Sequence, residues 1–357
     1  MGVLLARVTR GGTMRQVLHV TPVHPAAATG LVTQVYQQME RDFGMLAPPI
    51  ALHSPAPDSL AAAWSILRES LLTTGHTGRR TREVVAAAVS AANTCPYCVA
   101  VHGSTLVGLG GRELAAVGRG RPDEIADADM RALARWAGGD PAVPAPFPDA
   151  HTAELVGVAV TFHYLNRMVN VFLPPSPLPP AVPARARGAV ENVTGRIMAA
   201  LARRTAAPGL SAPLLPAAPL PADLHWASGQ PAIAAAFARA AHAVDRAADT
   251  VLPGPVRELA EQLAATPGAG PTGLSAAPWL DAAVAPLPAT QRPTGRLLLL
   301  TMFASYRVTA PLVAQVRQTT GLDDAGLVRI TSWASLLAAR AAGDRLSAAR
   351  PSPDGVA

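Results

Sequence analysis

The chain of 357 residues has only two cysteines, Cys95 and Cys98, in a single Cys-x-x-Cys, "CPYC", and His102 follows the second by four residues. The thiolate is the reactive form of cysteine, so a base or a positive field beside such a pair decides whether it reacts. His102 can supply that base. Two thiols at this spacing can also close on each other, so the first chemistry to consider is a reversible dithiol–disulfide couple. Upstream, Arg82 and Glu83 are the only charges at the start of the nearly continuous Ala/Val run "TREVVAAAVSAANTCPYC". A carboxylate there must reach water at the helix end or be buried with a partner. An imidazole is such a partner, and a carboxylate that orients it would be the third group of a relay.

Pro96 suits the first turn of a helix, where its missing N–H costs nothing, and "GLGG" at 108–111 is a natural stop. A helix over 96–107 stacks Cys98 and His102 on one face as i and i+4, with Cys95 one turn behind. The helix N-terminus would favour a thiolate. Two assignments of the nucleophile remain open on these grounds. In a helix-initial Cys-x-x-Cys the first cysteine is usually the exposed, acidified one, which favours Cys95. The adjacency of His102 favours Cys98.

The rest of the chain reads as helix, and strand alternation is hard to find. The pattern predicts helices near 28–43, 57–72, 80–93, 96–108, 127–137, 150–170, 188–205, 231–248, 254–265, 293–318 and 323–342, an all-α protein. Proline-rich stretches at 173–188 and 207–224 punctuate them as loops or linkers. Self-similarity is also present. "ALHSPAPDSLAAAWSILRESLL" (51–72) parallels "DLHWASGQPAIAAAFARAAHAV" (223–244), Arg82-Glu83 parallels Arg257-Glu258, and 146–168 aligns with 286–308 without gaps. The offset falls from 175 at the Arg-Glu pair to 140 at the later block, so the second copy lacks 35 residues, in the interval that holds "CPYCVAVHG" in the first. The expected organisation is an N-terminal extension (1–22), a catalytic repeat (23–172), a Pro-rich connection with one helix (173–222), a degenerate helical repeat (223–345) and a tail (346–357).

Composition excludes several function classes. The net charge is +6, but all thirty basic residues are arginine, scattered along the chain, and aromatics make up only 4%. A nucleic-acid surface needs a basic stripe with reading or stacking residues, so no nucleic-acid partner is expected. The absence of lysine removes P-loop phosphate binding and Schiff-base or pyridoxal-phosphate chemistry. No apolar run reaches the ~20 residues of a membrane span, so no membrane partner is expected. No export signal is evident, Met14 could serve as an alternative start, and a cytoplasmic location follows as the expectation. In that compartment a Cys-x-x-Cys points to catalysis or metal binding more than to a structural staple. A structural zinc would want four ligands, and no second Cys/His pair exists; no metal or cofactor is expected.

The spacing Glu-x11-Cys-x2-Cys-x3-His, here Glu83, Cys95, Cys98 and His102, resembles the signature of the AhpD-like alkylhydroperoxidases in the carboxymuconolactone decarboxylase superfamily. "GLGGRELAAV" and "RPDEIADADMRALARWA", within 108–137, resemble the same core domain. The full length is similar to the long two-repeat members. The resemblance implies an AhpD-like helical fold, a homo-oligomer and a hydroperoxide substrate. Cys98 would attack, Cys95 would resolve to a disulfide, and Glu83 and His102 would relay the proton. A dithiol reductant of the lipoyl-protein or thioredoxin type would restore the thiols. Two positions depart from the family pattern: Tyr97 stands between the cysteines and Arg112 lies ten residues after His102, where the characterised peroxidases have histidines. Competing readings are a disulfide oxidoreductase without peroxidase activity, a zinc-stabilised module and a non-enzymatic helical scaffold.

Overall fold

A computed structural model describes residues 11–178, 184–273 and 275–348, and among them it is all-α, with one isolated bridge between Thr73 and Ala206 and no strand. In chain order the main helices are α1 (Gly30–Asp42), α2 (Pro57–Leu67), α3 (Arg79–Ala92), α4 (Pro96–Gly108), α5 (Ala128–Ala137), α6 (Thr152–Phe172) and α7 (Ala184–Ala202). They continue as α8 (Pro231–Asp249), α9 (Gly254–Ala265), α10 (Ala277–Val284), α11 (Arg292–Phe303), α12 (Ala310–Thr320) and α13 (Asp324–Ala348). The first ten residues of the expected N-terminal extension, part of the Pro-rich connection (179–183) and residues 349–357 of the tail lie outside the described residues.

Most predicted helices fall within a few residues of the observed ones. One differs in kind, because the helix expected over 293–318 is two. Ala304 leaves helical geometry (φ −155°, ψ 53°), Ser305–Arg307 makes a single 3-10 turn, and α12 restarts with a proline in its first turn. Pro311 has no N–H to give the Arg307 carbonyl, so a helix running on through it would lose that bond, and the apolar periodicity carries across a break it cannot report.

Apolar faces from both halves of the chain merge into one core running from Val20 to Leu346. At its centre α6 lies along α13. Gly343 permits this approach, since a Cβ there would collide with Val160. The Tyr164 hydroxyl, at 2.8 Å from His53 Nε2 and 2.6 Å from Ser332 Oγ, ties the two helices across the core. Buried ion pairs fix the start of the region that carries the cysteines. Arg82 donates to Glu154 Oε2 (2.8 Å), Thr77 Oγ1 (2.8 Å) and the Thr73 carbonyl (2.6 Å), so its charge is compensated and its donors are used.

Candidate active site

The turn between α3 and α4 places the cysteines. Thr94 adopts φ +52°, a left-handed conformation that a β-branched residue adopts only when its surroundings impose it. There it closes α3, with the Cys95 N–H reaching back five residues to the Ser90 carbonyl at 3.0 Å, the arrangement that more often uses glycine. Cys95 becomes the N-cap of α4 and Pro96 its first residue. The helix runs past Gly103 to Gly108, as the sequence predicts.

Glu83, in the second turn of α3, is 1% exposed and holds two partners. Its Oε2 lies 2.6 Å from His102 Nδ1, and its Oε1 accepts a 2.7 Å bond from Arg79 Nε one turn earlier. Burial alone would raise the carboxyl pKa, but Arg79 and His102 outweigh it and bring it down to about 2. An ionised carboxylate only accepts, so His102 Nδ1 must be the donor, and in the neutral ring Nε2 keeps its lone pair. Phe162 of α6 sets its edge against the imidazole, with ring centroids 4.5 Å apart.

His102, Glu83, Arg79 and Cys98 share the wall of a cavity of about 280 Å³. The rest of that wall is mainly apolar, including Phe43, Ile50, Leu71, Phe162, Leu165 and Met198. Cys98 is 4% exposed, while Cys95, at 0%, sits behind it off the cavity wall. Both sulfurs are free thiols. The acidified thiolate expected from the helix N-terminus does not emerge at Cys98. Burial, then the neighbouring Cys95 thiol, push its pKa well above the usual value, and only the Asn166 side chain acts the other way. The resting group is a thiol that must hand its proton to a base in order to react.

The sequence reading brought Glu83, Cys95, Cys98 and His102 together, and all four lie in this one region. It assigned no role to three further side chains found here, Arg79, Phe162 and Asn166. Arg79 could have been found as the cation four residues before Glu83, one helical turn away. Phe162 and Asn166 come from "FHYLNRM" in α6, which reads first as helix packing and, as the alternative, as lining of the same pocket; Phe162 and Leu165 do line it. Asn166 is fully buried, donates to Ser90 Oγ at 3.0 Å and accepts from Asn93 Nδ2 at 3.0 Å, so its amide beside Cys98 is held in place. Tyr97, one of the two departures, is buried on the cavity wall and donates to Gln16 Oε1 at 3.1 Å. The other departure, the Arg112 side chain, lies outside the described residues. Among the described residues no group of three or more His, Cys, Asp or Glu side chains is arranged to hold a metal ion. No described helix is long and apolar enough to cross a membrane.

The model of the carboxymuconolactone decarboxylase family matches residues 58–145, the interval that contains all four residues. The alkyl hydroperoxide reductase Rv2159c of Mycobacterium tuberculosis is 38% identical over 339 residues, covering 94% of this chain and 96% of that protein. No solved structure matches.

Proposed function

Because the chain belongs to the carboxymuconolactone decarboxylase family, we propose that it is a thiol-dependent peroxidase in which Cys98 attacks a hydroperoxide and Cys95 resolves the product. The observation that carries this reading is the ionised Glu83 holding His102 Nδ1 at 2.6 Å on the wall of the cavity that also receives Cys98. The similar mycobacterial protein, named an alkyl hydroperoxide reductase, points to the same class of substrate.

In this scheme His102 takes the proton from Cys98. The thiolate attacks the terminal oxygen of the hydroperoxide, the O–O bond breaks, and the proton returns to the leaving alkoxide, which departs as an alcohol. Cys98 is now a sulfenic acid. The Cys95 thiol displaces its hydroxyl as water and forms the disulfide. An external dithiol, of the lipoyl-protein or thioredoxin type, then reduces that disulfide and is itself oxidised. Cys98 is the attacking sulfur because it faces the cavity and lies one helical turn from His102, whereas Cys95 is screened behind it. The raised pKa of Cys98 explains the need for the relay, which supplies the thiolate only at the moment of reaction. Action in the cytoplasm, where dithiol reductants are maintained, fits this cycle.

The test is peroxide treatment of wild type, Cys95→Ser and Cys98→Ser, each in the presence of a sulfenic-acid trap and read by mass spectrometry. Wild type should form a Cys95–Cys98 disulfide, and Cys95→Ser should carry the trapped adduct on Cys98. Trapping on Cys95 in the Cys98→Ser protein, with none on Cys98 in its counterpart, would reverse the roles. Thiols indifferent to peroxide in all three would favour the scaffold reading.

A further inference from the structure

The first turn of α3 carries Arg79, Arg80 and Arg82 and no acidic residue. That is the end of a helix where the backbone dipole disfavours cations, so three arginines there are not explained by the helix itself. Arg82 is consumed by Glu154 in the core and Arg80 by Glu113 at the surface. Arg79 is different. It is the first residue of α3, its side chain is 16% exposed, and it is the only cation on the cavity wall among the described residues other than a protonated His102. Its Nε meets the one Glu83 oxygen that His102 does not use.

We propose that Arg79 is a positioning residue of the relay, which keeps Glu83 anionic and turned toward His102, and so sets which nitrogen of the imidazole is free to take the proton of Cys98. This rests on the Glu83–His102 relay proposed above and adds a fourth member to it. A carboxylate shut away from water and paired with one neutral imidazole would drift toward its protonated form. A protonated Glu83 could donate to His102, reversing the tautomer and turning the imidazole's lone pair away from the thiol. A fixed cation on the other oxygen prevents this without competing for His102. Among the described residues, the other titratable groups on the cavity wall with Glu83 and His102 are Tyr97 and Cys98 on α4, neither of them a cation. The segments packed over them contribute Gln16, Ile50 and Leu71, α6 contributes Phe162 and Leu165, and α7 contributes Thr194 and Met198, all uncharged.

The experiment measures the rate of Cys98 alkylation by iodoacetamide against pH, from about 4 to 9, in the full-length Cys95→Ser protein. Arg79→Gln should slow alkylation about tenfold, a partial loss of the acid–base contribution, and add an acid limb as Glu83 protonation moves up toward the measured range. Arg79→Lys should restore both rate and profile, because a single N–H···O contact needs only a cation on a flexible stem. A double-variant cycle with Glu83→Gln checks the route and removes the uncompensated carboxylate should Arg79→Gln fold poorly. If Arg79 acts through Glu83, its replacement adds nothing once Glu83 is neutral. Additive losses, or an Arg79→Gln profile with no new limb, overturn the proposal. His102→Gln separates the two levels. If it alkylates like its parent, the relay reading fails and takes this one with it. If it is slowed while Arg79→Gln is not, only the role of Arg79 falls.

Discussion

Two Arg-Glu pairs occupy the fourth and fifth positions of two helices in this chain, Arg82-Glu83 in α3 and Arg257-Glu258 in α9, and they meet opposite fates. Glu83 is buried between Arg79 and His102, whereas Glu258 is exposed. Arg82 disappears into the core with Glu154. Arg257 lies half-buried over the Trp333 ring at 5.0 Å and shares the partly exposed carboxylates Asp245, Asp249 and Glu261. The dipeptide therefore does not decide the burial of its own charges. What decides it is whether other elements supply partners. In the first region α4 brings His102 and the helix begins with Arg79; in the second the helix begins with Gly254, and the chain between Thr266 and Ala276 holds no cysteine or histidine. That contrast is what the proposed catalytic and degenerate repeats would leave behind.

The sharpest way to break the comparison is to remove each arginine. Arg82→Gln removes the buried cation beside Glu154, leaving that carboxylate only the Thr77 hydroxyl and the His76 and Thr77 N–H groups, and leaves the Thr73 carbonyl without its donor. Breaking a buried pair from one side typically costs about 3–5 kcal/mol. Arg257→Gln removes a partly solvated network and a cation–π contact, about 1 kcal/mol in total. Urea unfolding followed by circular dichroism should show the first loss at several times the second. Equal losses would mean that the two regions are built alike after all.

Next in size is the pair of carboxylates. Glu83→Gln keeps the shape but removes the charge that orients His102, and alkylation of Cys98 at neutral pH should slow about a hundredfold, close to 3 kcal/mol in the barrier. Glu258→Gln should leave the rate unchanged. A matching loss in the second variant would show that the effect travels through the fold and not through the relay.

How much of this was legible beforehand depends on whether the deciding contact was local. The Cys-x-x-Cys, the proline that starts α4 and the histidine one turn on lie within eight residues, so spacing alone places them. Glu83 was accessible because its position in an apolar run demands a partner. Asn166 and Phe162 come from α6, a helix that begins fifty residues after His102, where an asparagine one turn from an aromatic looks like ordinary packing, and no periodicity aims one side chain at a sulfur. The same limit explains the raised pKa of Cys98. A helix N-terminus can be read from sequence, but the apolar wall that outweighs it is assembled from segments far apart in the chain. The break at Ala304 was hidden for a related reason, since Pro311 could stand in the first turn of a new helix or be missed inside a longer apolar one.

The smallest expected effect concerns a histidine in the first region with no part in the relay. His53 is fully buried, its Nδ1 lies 3.2 Å from the Ile50 carbonyl, and its Nε2 lies 2.8 Å from the Tyr164 hydroxyl. A carbonyl only accepts, so Nδ1 is the donor and Nε2 receives the Tyr164 proton. Protonating Nε2 would cancel that bond and place a charge in the core, and burial accordingly lowers the pKa of His53 to about 3. With a folded value below the unfolded one of about 6.5, the unfolded chain binds the extra proton first as pH falls. The stability His53 contributes is thus fully present above about pH 6.5 and is lost progressively down to about pH 3, at up to ~1.4 kcal/mol per pH unit. At pH 5 the loss should reach about 2 kcal/mol. Urea titrations at pH 7 and pH 5 should show this drop in wild type and a smaller one in His53→Gln, where nothing titrates at that position. The same substitution at exposed His242 in α8 provides the control from the second region. If His53→Gln and His242→Gln change the pH dependence equally, the acid sensitivity belongs to the chain as a whole, and the Tyr164 bridge between α6 and α13 is not its source.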